Sequence, residues 1–136
     1  MAARSKARKR ALDVLFECEV RGLALGATLD ERVLAGEPPV HEYTVELIRG
    51  VAERHTRIDE VVTTYAQGWS LERMPTVDRN ALRIGVFEIL YVDDVPDAVA
   101  VSEAMSLVRD LSTDESPAFV NGVLGSVIRD KASLSA

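Results

Sequence analysis

The chain has 136 residues, 47% of them hydrophobic, 28% charged and only 5% aromatic, enough for one compact domain with its own core and short for a two-domain enzyme. With Gly 8 and Pro 5 this is not a collagen-like, low-complexity or wholly disordered chain, and no run approaches the roughly 18 apolar residues of a membrane helix. The formal net charge of −6 is unevenly spread: Arg4, Lys6, Arg8, Lys9 and Arg10 put five of the 16 basic residues in the first ten positions without an acid, leaving 11 basic against 22 acidic side chains, about −11, for residues 11–136.

The N-terminal MAARSKARKR imitates a signal or transit peptide in its charge, but Asp13, Glu17 and Glu19 interrupt the segment that would be its apolar stretch, so it reads as part of the mature protein. Ala7, Ala11, Val14, Leu15 and Cys18 recur at helical spacing, so the basic arm, residues 1–10, runs into an amphipathic helix ending near Gly22. Its cations fit either a polyanion partner met by one end of the molecule or a solvated first turn. The single Cys18 cannot form an internal disulfide, which points to a reducing cytoplasm and to a small buried side chain.

A short helix is expected around Thr28 to Leu34, then a breaker loop, Gly36-Glu37-Pro38-Pro39. Tyr43, Leu47, Ile48 and Val51 mark the next helix; Ile58, Val61, Val62 and Tyr65 mark another, before Gly68. From Val77 to Leu90 the pattern is apolar around most of the circumference, with Ile84 and Phe87 filling in, which predicts a central helix. Val101, Ala104, Met105 and Val108 give a further helix. The last begins at Ser116-Pro117, read as an N-cap followed by proline at N1, and continues through Val120, Val123, Leu124, Val127 and Ile128. No segment alternates with period two for long enough to be a strand. The expected fold is all-α: six or seven helices in a single bundle-like domain spanning residues 1–136.

The search for chemistry finds no catalytic pattern. His41 and His55 have no ligand partner at metal spacing and read as surface histidines. Cys18 lacks a nucleophile signature, and Asp93, Asp94 and Asp97 lie in a turn without the spacing of a calcium loop. There is no phosphate-cradling glycine loop, no GxSxG and no dinucleotide fingerprint, so neither an enzyme nor a cofactor is expected. Seven acids lie between Asp93 and Glu115 with only Arg109 opposing them, a plausible docking face for a basic partner.

Two segments depart from ordinary helical surface. In Met74-Pro75-Thr76-Val77-Asp78-Arg79 a proline turn delivers an acid and an arginine to the start of the central helix; Asp78 fits the positive end of the helix dipole, whereas Arg79 has no evident structural duty. In Ser112 to Leu124, polar side chains crowd the start of the last helix, and Phe119, one turn in, is open to two readings: core, as is common for phenylalanine, or a partly exposed surface for stacking on a base.

ARSKARKRALDVLFE at the start, VDRNALRIGVFEIL in the central helix, DVPDAVAVSEAMSLVRDLS and SPAFVNGVLG together resemble the NusB family of bacterial transcription antitermination factors, in an actinobacterial form, over nearly the whole chain. The FVNGVLG and VDR-x-x-LRI strings at their mutual spacing are the specific part. The resemblance implies an all-α fold of two three-helix halves and binding of the single-stranded boxA RNA of ribosomal RNA leaders. It also implies a ribosomal protein partner, NusE, and work with other Nus factors in the elongation complex, in the cytoplasm and away from membranes, as monomer or homodimer. Carried over by position, it implies RNA contacts at Arg4, Lys6 and Arg8, with Lys9 and Arg10 as further cations, at Asp78 and Arg79, and at Glu115, Ser116 and Phe119. The chain differs from the enterobacterial pattern at Ser5, where an arginine is expected, and at Pro117 and Ala118, where polar or basic residues are expected. Two other readings stand beside this one: a helical adaptor docking a basic partner, and a module related to those of ribosomal RNA cytosine methyltransferases, although no methyltransferase motif follows within these residues.

Overall fold

The structure, a computed structural model, describes residues 3–29 and 40–134, and the chain divides into two compact units, Met1–Arg54 and His55–Ala136. Among the described residues every regular element is helical and there is no strand, so the all-α expectation holds.

In the first unit, α1 (Ala3–Val20) packs against α2 (Glu42–Glu53). The 3.6-residue apolar period of α1 becomes its buried stripe of Ala7, Ala11, Val14, Leu15 and Cys18, and α2 buries Tyr43, Leu47, Ile48 and Val51. Thr44 Oγ1 donates to the Ala7 carbonyl at 3.0 Å, tying the basic turn of α1 to α2. Beyond Val20 the chain reverses where Gly22 takes φ 69. Gly22 N–H donates to Glu19 O (3.1 Å) and Leu23 N–H to Cys18 O (2.8 Å), a paired C-terminal cap that uses the left-handed freedom of glycine. His41, read as a plain surface histidine, caps α2: its Nδ1 accepts from Tyr43 N–H at 3.0 Å. From residue 30 onward the helix expected over Thr28 to Leu34 lies outside the described residues, as does the Gly36 to Pro39 loop.

The second unit comprises α3 (His55–Tyr65), a 3₁₀ turn (Leu71–Arg73), α4 (Thr76–Tyr91), α5 (Asp97–Leu111), α6 (Ser116–Arg129) and the one-turn α7 (Lys131–Leu134). The 3₁₀ turn and α7 carry no periodic pattern and went unpredicted. As its pattern predicts, α4 is central: it contacts α3, α5 and α6 and buries every residue from Asn80 to Ile89. Proline starts three of these helices, at Pro75, Pro96 and Pro117, positions where its missing N–H is not needed. One buried charge ties α3 to α4. Arg83 grips Asp59 with Nε and Nη2, at 2.8 and 3.1 Å, and donates to Asn80 Oδ1 at 3.0 Å. Losing Asp59 would cost about 3–5 kcal/mol at most, because Arg83 would be left buried and charged. Among the described residues, no helix is long and apolar enough to cross a membrane.

Candidate nucleic-acid interface

The basic turn of α1 does not present five equivalent cations. Helical spacing sorts them onto two faces. Arg4 and Arg8, four residues apart, both lie over Tyr43 of α2, with guanidinium carbons 4.3 and 5.6 Å from the ring centroid. Arg8 is only 3% exposed, so it meets the ring rather than solvent, unlike the other cations expected to contact RNA. Desolvated cation–π contacts of this kind contribute up to about 2 kcal/mol. Lys6 and Lys9 face outward, with Arg10 half-buried beside them; Lys9 makes a 3.3 Å pair with Asp13 one turn on. Both partners of that pair are solvent-exposed, so it holds the lysine only weakly.

In the second unit, the other expected residues gather where the N-termini of α4 and α6 meet. Asp78 is 3% exposed and accepts from Ser116 Oγ at 2.8 Å, joining the two helix starts. Ser116 stands at the first position of α6, with Glu115 as N-cap. The hydroxyl expected to cap its own helix instead donates to Asp78 and accepts from Thr113 N–H at 3.2 Å. Asp78 and Ser116 are therefore buried joint residues rather than exposed ones, and Asp78 Oδ1 is buried without a hydrogen-bond partner. Arg79 has the structural duty that the sequence did not suggest: it donates to the Leu71 and Met74 carbonyls and to Thr76 Oγ1, holding the 3₁₀ turn against the start of α4. Glu115 is exposed.

Phe119 is half-buried rather than core. Its ring lies 5.6 Å from that of Trp69, tilted by 39°, and Trp69 is 49% exposed. The backbone makes this possible: Gln67 and Gly68 take φ 42 and 88, left-handed values that throw the next residue outward, with Gln67 unusual for a side chain that is not glycine. Beside the pair, Tyr65, Gln67, Ala118, Phe119, Gly122 and Ser126 line an open cavity of about 350 Å³. At its side the Tyr65 hydroxyl donates to Asp130 Oδ2 at 2.7 Å, and this bond raises the Tyr65 pKa and lowers that of Asp130. Trp69 is the residue that sequence reasoning missed. The available signal was the chain's one tryptophan set directly after a glycine between two helices, where a core residue is not expected.

Among the described residues no three His, Cys, Asp or Glu side chains are grouped to hold an ion. Asp93 and Asp94 are exposed in their turn, and Asp97 pairs with Lys131 at 3.0 Å. Cys18 is buried against Thr28.

Comparison with known proteins agrees with this architecture. A transcription antitermination protein NusB from Nocardioides sp. is 64% identical over 135 residues, 99% of this chain and 100% of that one. Among solved structures, NusB of T. maritima superposes with a TM-score of 0.84 at 31% identity, covering 96% of this chain and 94% of that one. The antitermination factors NusB and NusE in complex with dsRNA provide a second match, with a TM-score of 0.79 at 27% identity over 93% of this chain and 96% of that one. The model of the NusB family matches residues 5–129; with that span and that identity along essentially its whole length, the chain belongs to the NusB family.

Proposed function

We propose that this chain is a transcription antitermination factor that binds the boxA RNA of ribosomal RNA leaders together with NusE and supports processive transcription of those operons. The observation that carries the reading is the full-length relationship to antitermination proteins, one relative of which is solved with NusE and RNA. It is a binding protein and not an enzyme: the family that it belongs to and its relatives are transcription antitermination proteins. A role in transcription supports a cytoplasmic location, where a reduced Cys18 is at home.

The division of labour follows from the geometry. Lys6 and Lys9, which face outward, and the half-buried Arg10 beside them supply phosphate contacts, which position a strand without reading it. Arg4 and Arg8, on Tyr43, hold the turn in place. The Trp69–Phe119 end supplies a surface on which unpaired bases stack, the usual route to sequence recognition in RNA. Asp78, Ser116 and Arg79 keep that end rigid, and Glu115 stands exposed at its rim as an acceptor for base amino groups. The acidic stretch from Asp93 to Glu115 is offered as a docking face for the basic NusE, which would reverse a local potential that repels RNA.

Paired titrations test the assembly: RNA into protein with and without saturating NusE, at two salt concentrations, using boxA, scrambled and duplex RNA. NusE is expected to raise boxA affinity at least tenfold, about 1.4 kcal/mol of coupling, and RNA must strengthen NusE binding by the same factor. Equal affinities with and without NusE would refute cooperative assembly, and equal affinities for boxA and scrambled RNA would refute sequence reading.

A further inference from the structure

The geometry points to the cavity beside the Trp69–Phe119 pair as a subsite for one unpaired nucleobase, packed against the aromatic wall and read at its edge by the Gln67 side-chain amide; this rests on the RNA-binding reading above. The cavity, about 350 Å³, is at the small end of ligand pockets. One wall is the Phe119 ring, buttressed by Trp69 at 5.6 Å. Along α6 the lining is formed by Ala118 and Gly122, and a Cβ added at Gly122 would meet nothing within 4 Å. The lining thus combines small residues with an aromatic ring, a composition suited to a flat group, and the opening is called the slot below.

The polar groups around the slot are unequal. The Tyr65 hydroxyl proton is committed to Asp130 and that of Ser126 to the Gly122 carbonyl at 3.1 Å. Gln67 lines the cavity and is exposed, with a donor and an acceptor on one amide, the pairing that matches the edge of a base. Its backbone is held at φ 42, immediately before Gly68 at φ 88. Such a conformation has a cost, and it belongs to the turn that brings Gln67 to the cavity and Trp69 beside Phe119. Arg73, exposed on the turn that follows Trp69, supplies a cation on the same segment for the strand's phosphate. Aromatic stacking with a nearby cation is how protein surfaces hold single strands. An apolar side chain from a partner could use the aromatic wall, but it would leave the donor and the acceptor of the Gln67 amide unused.

Trp69 is the chain's one tryptophan, so its emission reports this site alone. With the full chain and saturating NusE, titration of a boxA oligonucleotide is expected to quench that emission, and an oligonucleotide series carrying one abasic position at a time should contain a position that restores it. Trp69→Ala and Gln67→Ala are each expected to weaken boxA binding about tenfold, and Trp69→Phe only about twofold. Gly122→Leu fills the slot from an open helical position and replaces a poor helix former, so it should weaken binding about tenfold while the melting temperature stays level or rises. Three results overturn the proposal: boxA binding with no change in emission, quenching by NusE with no further change on adding RNA, or normal affinity in Gly122→Leu. If the wild-type protein binds boxA well and these variants bind equally well, the subsite alone is wrong. If the wild-type protein shows no boxA binding even with NusE, the function proposed above fails and the subsite with it.

Discussion

The basic turn of α1 and the aromatic end of the second unit put apparently unsuitable side chains to work in opposite ways. On α1, five cations that a charge count treats alike divide by helical face: Arg4 and Arg8 lie over Tyr43, while Lys6 and Lys9 stay in solvent. At the other site an aromatic pair that composition would assign to a core stays partly outside, with Trp69 49% exposed, while the polar Asp78 and Ser116 go inside and bond to each other. Residue type therefore ranks candidates poorly at both sites. What decides is the neighbour offered by another helix: Tyr43 accepts arginines because a flat guanidinium stacks on a ring and sheds water more readily than an ammonium, and the Ser116 hydroxyl satisfies one oxygen of a carboxylate that would otherwise be costly to bury.

The comparison is most sharply tested on α1. Replacing Lys6, Lys9 and Arg10 together by glutamine removes the two outward cations and the half-buried one beside them. Each single-strand phosphate contact contributes about −0.7 to the slope of log K against log salt, so the slope should flatten by about 2. At 0.1 M salt that corresponds to roughly 3 kcal/mol of lost RNA affinity, with the melting temperature little changed. Arg8→Gln should do the reverse, lowering the melting temperature through loss of a contact worth up to about 2 kcal/mol and leaving the salt slope nearly as it was. A slope that flattens as much in Arg8→Gln as in the outward variants would erase the two-face distinction.

At the aromatic end, Phe119→Ala should cost about 1–3 kcal/mol of RNA affinity if the ring contacts a base. Being half-buried, it should cost less stability than the roughly 3–5 kcal/mol of a core phenylalanine. Thermal melting and RNA titration on the same variant check both. A core-sized loss of stability with unchanged affinity for RNA would make Phe119 a packing residue.

The smallest effect concerns the bond between Tyr65 and Asp130 beside the cavity. Asp130 is held below the usual carboxylate range chiefly by the hydrogen bond from Tyr65. Its stabilising contribution is therefore present above that range and is lost as pH falls through the folded value. Tyr65 is pushed up, first by its bond to Asp130, so its contribution is present below its usual pKa, near 10, and lost as pH rises through the folded value. Between these limits the melting temperature of the wild-type protein should slightly exceed that of Tyr65→Phe, and the two curves should converge at acid pH. Parallel curves down to the lowest pH would show that the bond carries no linkage.

Much of the fold was legible because its signals are local. The buried stripe of α1, the all-round apolar character of α4 and the proline at the start of α6 each follow from periodicity or from the chemistry of one residue. The 3₁₀ turn at Leu71 to Arg73 was not legible, since its fixing element, Arg79 donating to the Leu71 carbonyl, is eight residues away and on another element. The candidate site was legible in part. Phe119 stood out through its polar surroundings and its FVNGVLG string, but Trp69 becomes meaningful only beside it, fifty positions along the chain.

From the order of residues alone came the all-helical class, the position of the central helix, the concentration of positive charge in the first ten residues and the NusB resemblance, because periodicity, charge and motif are properties of neighbours in the chain. Tertiary structure alone decided which of those cations reach solvent, that Asp78 and Ser116 form a buried joint, and that Trp69 and Phe119 make one surface. Each of these depends on a partner supplied by a distant segment, and burial, desolvation and ring contact exist only once that partner is in place.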